Sequence, residues 1–177
     1  MTGPTLFTER LLLRPHRVSD LEDVAAMWGD PAVTRHIGGR PLTREEAWRN
    51  VQRYAGHWAL FGWGYFTVRD RLTDAFLGEA GLMDSRRDTT PNFEGTPEAG
   101  WAIAPAHHGR GYAREAVAAM LAWADARGMG RTVCIIDPAN ASSVALAGKL
   151  GFSPAGEITY RDAPTLLFER PARSGPA

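Results

Sequence analysis

Cysteine is almost absent: Cys134 is the only one among 177 residues, so no disulfide can form within the chain, and the sequence predicts a reducing compartment. Net charge is missing too. Twenty Lys and Arg balance twenty Asp and Glu, which removes any whole-chain argument for nucleic acid or an anionic membrane as partner. No stretch approaches the roughly 18 apolar residues of a spanning helix. The opening residues Met1 to Phe7 lack a basic segment followed by an apolar one, so no leader is expected and the protein is placed in the cytoplasm. There is no internal repeat and no low-complexity block. What remains is 44% hydrophobic and 23% charged, ordinary for a folded chain. It is long enough for one domain spanning 1–177, with the small, Pro/Gly-rich residues 171–177 as a frayed tail.

The elements follow from periodicity and punctuation. Arg10 to Arg14 carries Leu11, Leu12 and Leu13 and is stopped by Pro15, which predicts a first strand. Ser19 with Glu22, and Thr43 with Glu46, form two capping boxes. Leu21, Val24 and Trp28 follow the first at helical spacing; Ala47, Val51, Tyr54 and Trp58 follow the second. Tyr65 to Val68 and Phe76 to Leu82 flank a polar turn as a hairpin, and Asp84 to Pro97 is a polar loop. Glu98 to Ile103 is a further strand ended by Pro105. A helix from Gly111 to Arg127 buries Ala113, Val117, Met120, Leu121 and Ala124, with Gly128 as its stop. Thr132 to Ile136, a short helix Ser142 to Leu150, and strands near Phe152 to Tyr160 and Thr165 to Glu169 complete the chain. The order β, α, α, β, β, β, α, β, α, β, β places the fold in the α/β class, or α+β by its segregated hairpin.

Gly109-Arg110-Gly111 stands directly after a strand and opens an amphipathic helix. A helix start presents unpaired N–H groups and partial positive charge, and glycine lets a phosphate approach that backbone without a Cβ clash. Arg110 and Arg114 add two cations. The spacing matches neither the dinucleotide fingerprint nor the P-loop. A nucleotide-dependent phosphotransferase therefore lacks its lysine and its magnesium carboxylates.

The run Pro105-Ala106-His107-His108-Gly109-Arg110-Gly111-Tyr112-Ala113-Arg114-Glu115-Ala116 resembles the acetyl-CoA motif of the GNAT superfamily of N-acetyltransferases, Q/R-x-x-G-x-G/A. Gly111 and Ala113 fill its last positions; His108 stands where the family has Gln or Arg. Asn140-Ala141-Ser142-Ser143 and Lys149-Leu150-Gly151-Phe152 resemble the family's N-x-x-S and K-x-G-F segments. Thr8-Glu9-Arg10-Leu11-Leu12-Leu13-Arg14-Pro15 resembles the start of the branch that includes ribosomal-protein N-terminal alanine and serine acetyltransferases. The resemblance covers about residues 6 to 170. It implies a mixed, mostly antiparallel sheet of about seven strands, flanked by helices and splayed between its fourth and fifth strands. It further implies acetyl-CoA as cosubstrate, with its pantetheine arm in that gap. The pyrophosphate is then held by Gly109, Arg110, Gly111, Tyr112 and Ala113, with His108 and Arg114 beside it. N–H groups near Ala102 and Ile103 polarise the thioester carbonyl.

Acetyl transfer to an amine needs a neutral nitrogen, a stabilised oxyanion and a proton for the leaving thiolate. Glu98 is the candidate base, with Glu94 and Glu79 as rivals. Ser143 is the candidate acid, with Tyr160 as a fallback. Asn140 bonds the pantetheine arm or caps the following helix. His107 and His108 have no carboxylate or thiol cluster near them, so no metal is expected. Cys134 reads as a small core residue. Trp28, Trp58, Trp63 and Trp101 read first as core, and Arg86 and Arg87 as a solvated loop. His36, Gly38 and Gly39 lie in the connection that shapes acceptor choice in the family. The expected acceptor is a protein N-terminal amine, with a small-molecule amine as the alternative, on a monomer or homodimer. A different class, a non-catalytic acyl-CoA sensor, would keep the Gly109–Ala113 cradle without needing Glu98 or Ser143.

Overall fold

The computed structural model describes residues 3–172. Of the expected tail, Pro171 and Ala172 are exposed and irregular, and 173–177 lie outside the described residues. The strands are β1 (Leu6–Phe7), β2 (Leu11–Pro15), β3 (Tyr65–Asp70), β4 (Phe76–Met83), β5 (Glu98–Ile103), β6 (Thr132–Ile136), β7 (Ser153–Tyr160) and β8 (Ala163–Arg170). The α-helices are α1 (Leu21–Trp28), α2 (Pro31–Thr34), α3 (Arg44–Phe61), α4 (Tyr112–Ala126) and α5 (Ala141–Lys149). The strand order across the sheet is β1-β2-β3-β4-β5-β6-β8-β7, with eight strands instead of about seven. The additional one, β1, holds two residues, paired as Leu6↔Leu13 and Phe7↔Leu12. So short a strand leaves no alternation to detect. β2 with β3, β3 with β4, β6 with β8 and β7 with β8 pair antiparallel, and β5 with β6 runs parallel at Glu98↔Val133.

The chain gathers into two compact units. One runs up to Gly81 and takes in Trp101–Met120; the other takes in Leu82–Gly100 and the chain from Leu121 on. In the first unit, Leu11 and Leu13 on β2 and Phe66 and Val68 on β3 are fully buried. Each such side chain contributes about 1.5–3 kcal/mol of burial. Val24, Met27 and Trp28 of α1 pack with Val33, Ala47, Val51 and Ala102. The tryptophans Trp28 and Trp58 are therefore core, as their helical spacing suggested. In the second unit Phe93, Val133, Ile158 and Leu167 form the core, and Cys134 is buried on β6.

The Thr43–Glu46 capping box forms at α3 as expected. The Ser19–Glu22 box does not. A 3₁₀ turn over Val18–Asp20 precedes α1, and the reciprocal pairing joins Arg17 and Asp20 instead. Asp20 wins because its carboxylate is the better acceptor: it takes the Arg17 N–H at 2.7 Å and a bidentate Arg14 fork at 2.7 and 2.8 Å. Burial alone would raise the Asp20 carboxyl; hydrogen bonds from Arg14 and Arg17, with the charges of Arg14 and Arg69, outweigh it and hold its pKa below the ordinary value. A carboxyl lowered in the folded state adds stability that is complete above its unfolded pKa, near 4, and is lost as pH falls through the folded value. Asp20→Asn is expected to cost about 1.5–3 kcal/mol at neutral pH and to flatten the fall of stability below about pH 4. Urea unfolding midpoints measured from pH 7 to pH 2 check this.

Candidate active site

The first unit contains the glycine loop. A 3₁₀ turn at Pro105–His107 closes β5, and His108 follows in extended conformation. Gly109 then has φ +74° and Gly111 φ +79°, left-handed values that cost an L side chain about 1–2 kcal/mol. Alternation of handedness in successive residues turns neighbouring N–H groups toward one side, the geometry of an anion nest. The first helical hydrogen bond of α4 runs from Glu115 N to Gly111 O at 3.1 Å. The N–H groups of Tyr112, Ala113 and Arg114 precede it and have no partner within the helix. Arg110 and Arg114 are exposed beside them. The His108 Nε2–H donates to the Ile103 carbonyl at 2.7 Å, tying the loop to the end of β5. Ala102 and Ile103 themselves are buried.

Two residues that the sequence reading passed over complete this region. Glu115, in the first turn of α4, accepts from the Thr8 hydroxyl at 2.5 Å, the Arg10 N–H at 3.0 Å and Arg10 Nε at 2.7 Å. Arg10 Nη1 reaches the Arg110 carbonyl at 3.0 Å. These partners are a hundred or more residues apart, so no local pattern reveals them. One signal is local: a carboxylate beside a helix start with unpaired N–H groups and two arginines invites a cation of its own.

The same unit buries a polar cluster. Glu79 on β4 is fully buried; it accepts from His16 Nε2 at 2.7 Å and from Trp28 Nε1 at 2.8 Å. His16 lies 4.8 Å from the Tyr54 ring, and its Nδ1 is buried with no hydrogen-bond partner among the described residues. Burial, with the charge of Glu79 adding, pushes the Tyr54 hydroxyl well above its ordinary pKa.

The second unit contains Glu98, at the start of β5. Both its oxygens are taken by Arg87, at 2.6 and 2.7 Å, and the Arg87 guanidinium also lies 4.4 Å over the Tyr160 ring. Arg87 is thus no solvated loop residue, which corrects the expectation: only 22% of its side chain is exposed, because a buried carboxylate draws it in. Arg86 stays on the surface, pairing with Asp84 and with Glu94, the exposed rival base. Asn140 caps α5, its side-chain oxygen accepting from Ser143 N at 3.1 Å and from the Ser142 hydroxyl at 2.9 Å. Ser143 is half-buried in the first turn of that helix. Burial, with Glu98's charge adding, raises the Cys134 thiol far above its ordinary pKa, so no thiolate nucleophile is present there. Among the described residues no three His, Cys, Asp or Glu side chains gather where they could hold a metal ion.

A family model described as an acetyltransferase (GNAT) domain matches residues 10–153. Among curated proteins, the uncharacterized N-acetyltransferase p20 of Bacillus licheniformis is 27% identical over 154 residues, covering 86% of this chain and 84% of that one. A solved structure assigned to the GnaT-family acetyltransferases, from Bordetella pertussis, is 36% identical with a TM-score of 0.83, covering 94% of this chain and 99% of that one. A structure assigned as a ribosomal-protein-serine acetyltransferase of Vibrio cholerae superposes with a TM-score of 0.75 over 97% of this chain and 99% of its own; at 19% identity the likeness is one of fold alone.

Proposed function

The chain belongs to the GNAT family of acetyltransferases, and we propose that it moves an acetyl group from acetyl-CoA to a primary amine by direct attack. The observation that carries this reading is the pair of left-handed glycines, Gly109 and Gly111, that open α4 ahead of its first hydrogen bond. In the proposal the amides of Gly109 to Ala113 take the diphosphate, with Arg110 and Arg114 supplying charge. N–H groups of Ala102 and Ile103 receive the oxygen that becomes the oxyanion when nitrogen adds to the thioester carbon. The C–S bond then breaks, the thiolate takes a proton from the Ser143 hydroxyl, and the second proton leaving the acylated nitrogen restores that hydroxyl, so the serine ends as it began. Asn140 supports the arm through its amide NH₂, since its oxygen is used in capping α5.

Glu98 accepts the amine's proton through water. For this, one carboxylate oxygen must leave the Arg87 fork. Glu98→Gln is therefore expected to lower turnover about a hundredfold with a much smaller effect on acetyl-CoA affinity. The loss should ease at high pH, where the amine sheds its own proton. Wild-type rates from pH 6 to pH 10 would remove Glu98 from the mechanism.

The acceptor placed first is a protein N-terminal amine, on the strength of the opening segment Thr8 to Pro15. The polar contacts of Thr8 and Arg10 run to Glu115 and Arg110, beside the cofactor loop. The deciding measurement is CoA release with a panel holding both N-terminal peptides and small amines. Turnover with peptides supports the reading, and turnover with small amines alone replaces that acceptor. Tight acetyl-CoA binding without turnover across the panel would make the chain a sensor.

A further inference from the structure

We propose that Arg10 is a positioning residue for acetyl-CoA: it holds the Arg110–Gly111 peptide in the orientation that receives the diphosphate, and it cancels the charge of Glu115 beside it. The inference rests on the cofactor reading above and extends it to a residue about a hundred positions away.

A peptide unit is planar and trans, so its carbonyl and its N–H point in opposite directions. Arg10 Nη1 donates to the Arg110 carbonyl at 3.0 Å, which fixes that oxygen on the Arg10 side and aims the Gly111 N–H away from it. A Cβ placed on Gly111 would lie 3.5 Å from Arg10 Nη2, so the guanidinium borders one side of the glycine. The same guanidinium lies 4.7 Å over the Tyr112 ring. One planar group thus bonds to Arg110, borders Gly111 and covers the Tyr112 ring.

Glu115 raises a second requirement. A carboxylate in the first helical turn suits the helix dipole but repels a diphosphate bound at the same end. Here it is covered: Arg10 Nε and Nη2 lie 2.7 and 2.6 Å from Oε2, and the Arg10 N–H and Thr8 hydroxyl occupy Oε1. Burial alone would raise the Glu115 carboxyl, yet these bonds and the Arg10 charge keep its pKa below the ordinary value, so it stays an anion and needs its partner. The anchor is firm. Thr8 turns the chain, its N–H donating to the Leu11 carbonyl at 3.0 Å and its hydroxyl accepting from Leu11 N at 2.8 Å, and Leu11 is fully buried on β2.

An exposed ion pair usually contributes little, and 43% of the Arg10 side chain is exposed. A merely structural Arg10 would therefore move neither cofactor affinity nor ligand preference. The test compares two ligands on the full chain by calorimetry: acetyl-CoA, and acetyl-pantetheine, which keeps the thioester arm and lacks the diphosphate. Arg10→Gln is expected to weaken acetyl-CoA about tenfold or more and to leave acetyl-pantetheine within about twofold. Arg10→Lys keeps the charge but not the fork, and should lose less, in the same ligand-selective way. Should Arg10→Gln not fold, the ratio of the two affinities in Arg10→Lys is read instead. Unchanged acetyl-CoA affinity, or equal losses for both ligands, overturns the positioning role while leaving the cofactor reading intact. A wild-type chain that binds no acetyl-CoA sinks both together.

Discussion

Gly111→Asp is expected to abolish measurable acetyl-CoA binding, and Gly111→Asn to retain part of it. Gly111 sits at φ +79°, where a side chain costs about 1–2 kcal/mol and asparagine somewhat less than most. That strain is shared by both variants, and so is the added bulk. They differ in one negative charge. Two like charges about 4 Å apart near a protein surface repel by about 4 kcal/mol, or about a thousandfold in affinity, which is the ceiling here because the Gly111 Cβ direction also faces Arg10. A second route acts in the same direction. The new carboxylate would stand close to Arg10 and compete with Glu115 for it, loosening the grip on the Arg110 carbonyl. The measurement is a calorimetric Kd for acetyl-CoA in wild type and both variants, with thermal unfolding as the control for folding. Wild-type affinity in a folded Gly111→Asp would show that the diphosphate does not rest on these amides, and the proposed chemistry would lose its anchor.

Much of the cradle was legible in the sequence because its causes are local. Glycine at a left-handed position, a strand ended by a proline, and an amphipathic helix are each written within a few residues. The same holds for β5 and β6, whose apolar runs end in Pro105 and Asp137 and whose observed bounds, Glu98–Ile103 and Thr132–Ile136, match the reading. What escaped depends on distance or on competition. Arg87 looked solvated because its partner Glu98 lies beyond a long loop, and burial of that pair is a tertiary fact. The Ser19–Glu22 box lost to Asp20, whose charge attracts Arg14, a contest that spacing alone does not rank. Asn140 had two readings from the start. The structure shows it capping α5, which leaves its NH₂ group as the part able to meet a ligand.

Glu79→Ala is expected to be the most destabilising of these substitutions, by about 3–5 kcal/mol, because it removes the acceptor of two buried donors at once. For a chain of this length that is a fall of about 10 °C in the unfolding midpoint. Glu79 is fully buried, as is the His16 side chain, so water cannot replace the lost bonds to His16 and Trp28. Breaking such a pair costs more than replacing it. Glu79→Leu alone strands both partners, whereas His16→Leu with Glu79→Leu removes one stranded group and should recover part of the loss. Additive losses in this cycle would mean that the two side chains do not act as a pair. The cluster also separates Glu79 from Glu98 among the three candidate bases. Glu79 and its partner His16 are both fully shut in, whereas Glu98 is held by Arg87, which is 22% exposed, so Glu79→Gln should change stability while leaving the shape of the pH–rate profile as in wild type. Glu98→Gln should change that shape. A reversed pattern would move the proton-accepting role from β5 to β4, and with it the place where the amine must stand.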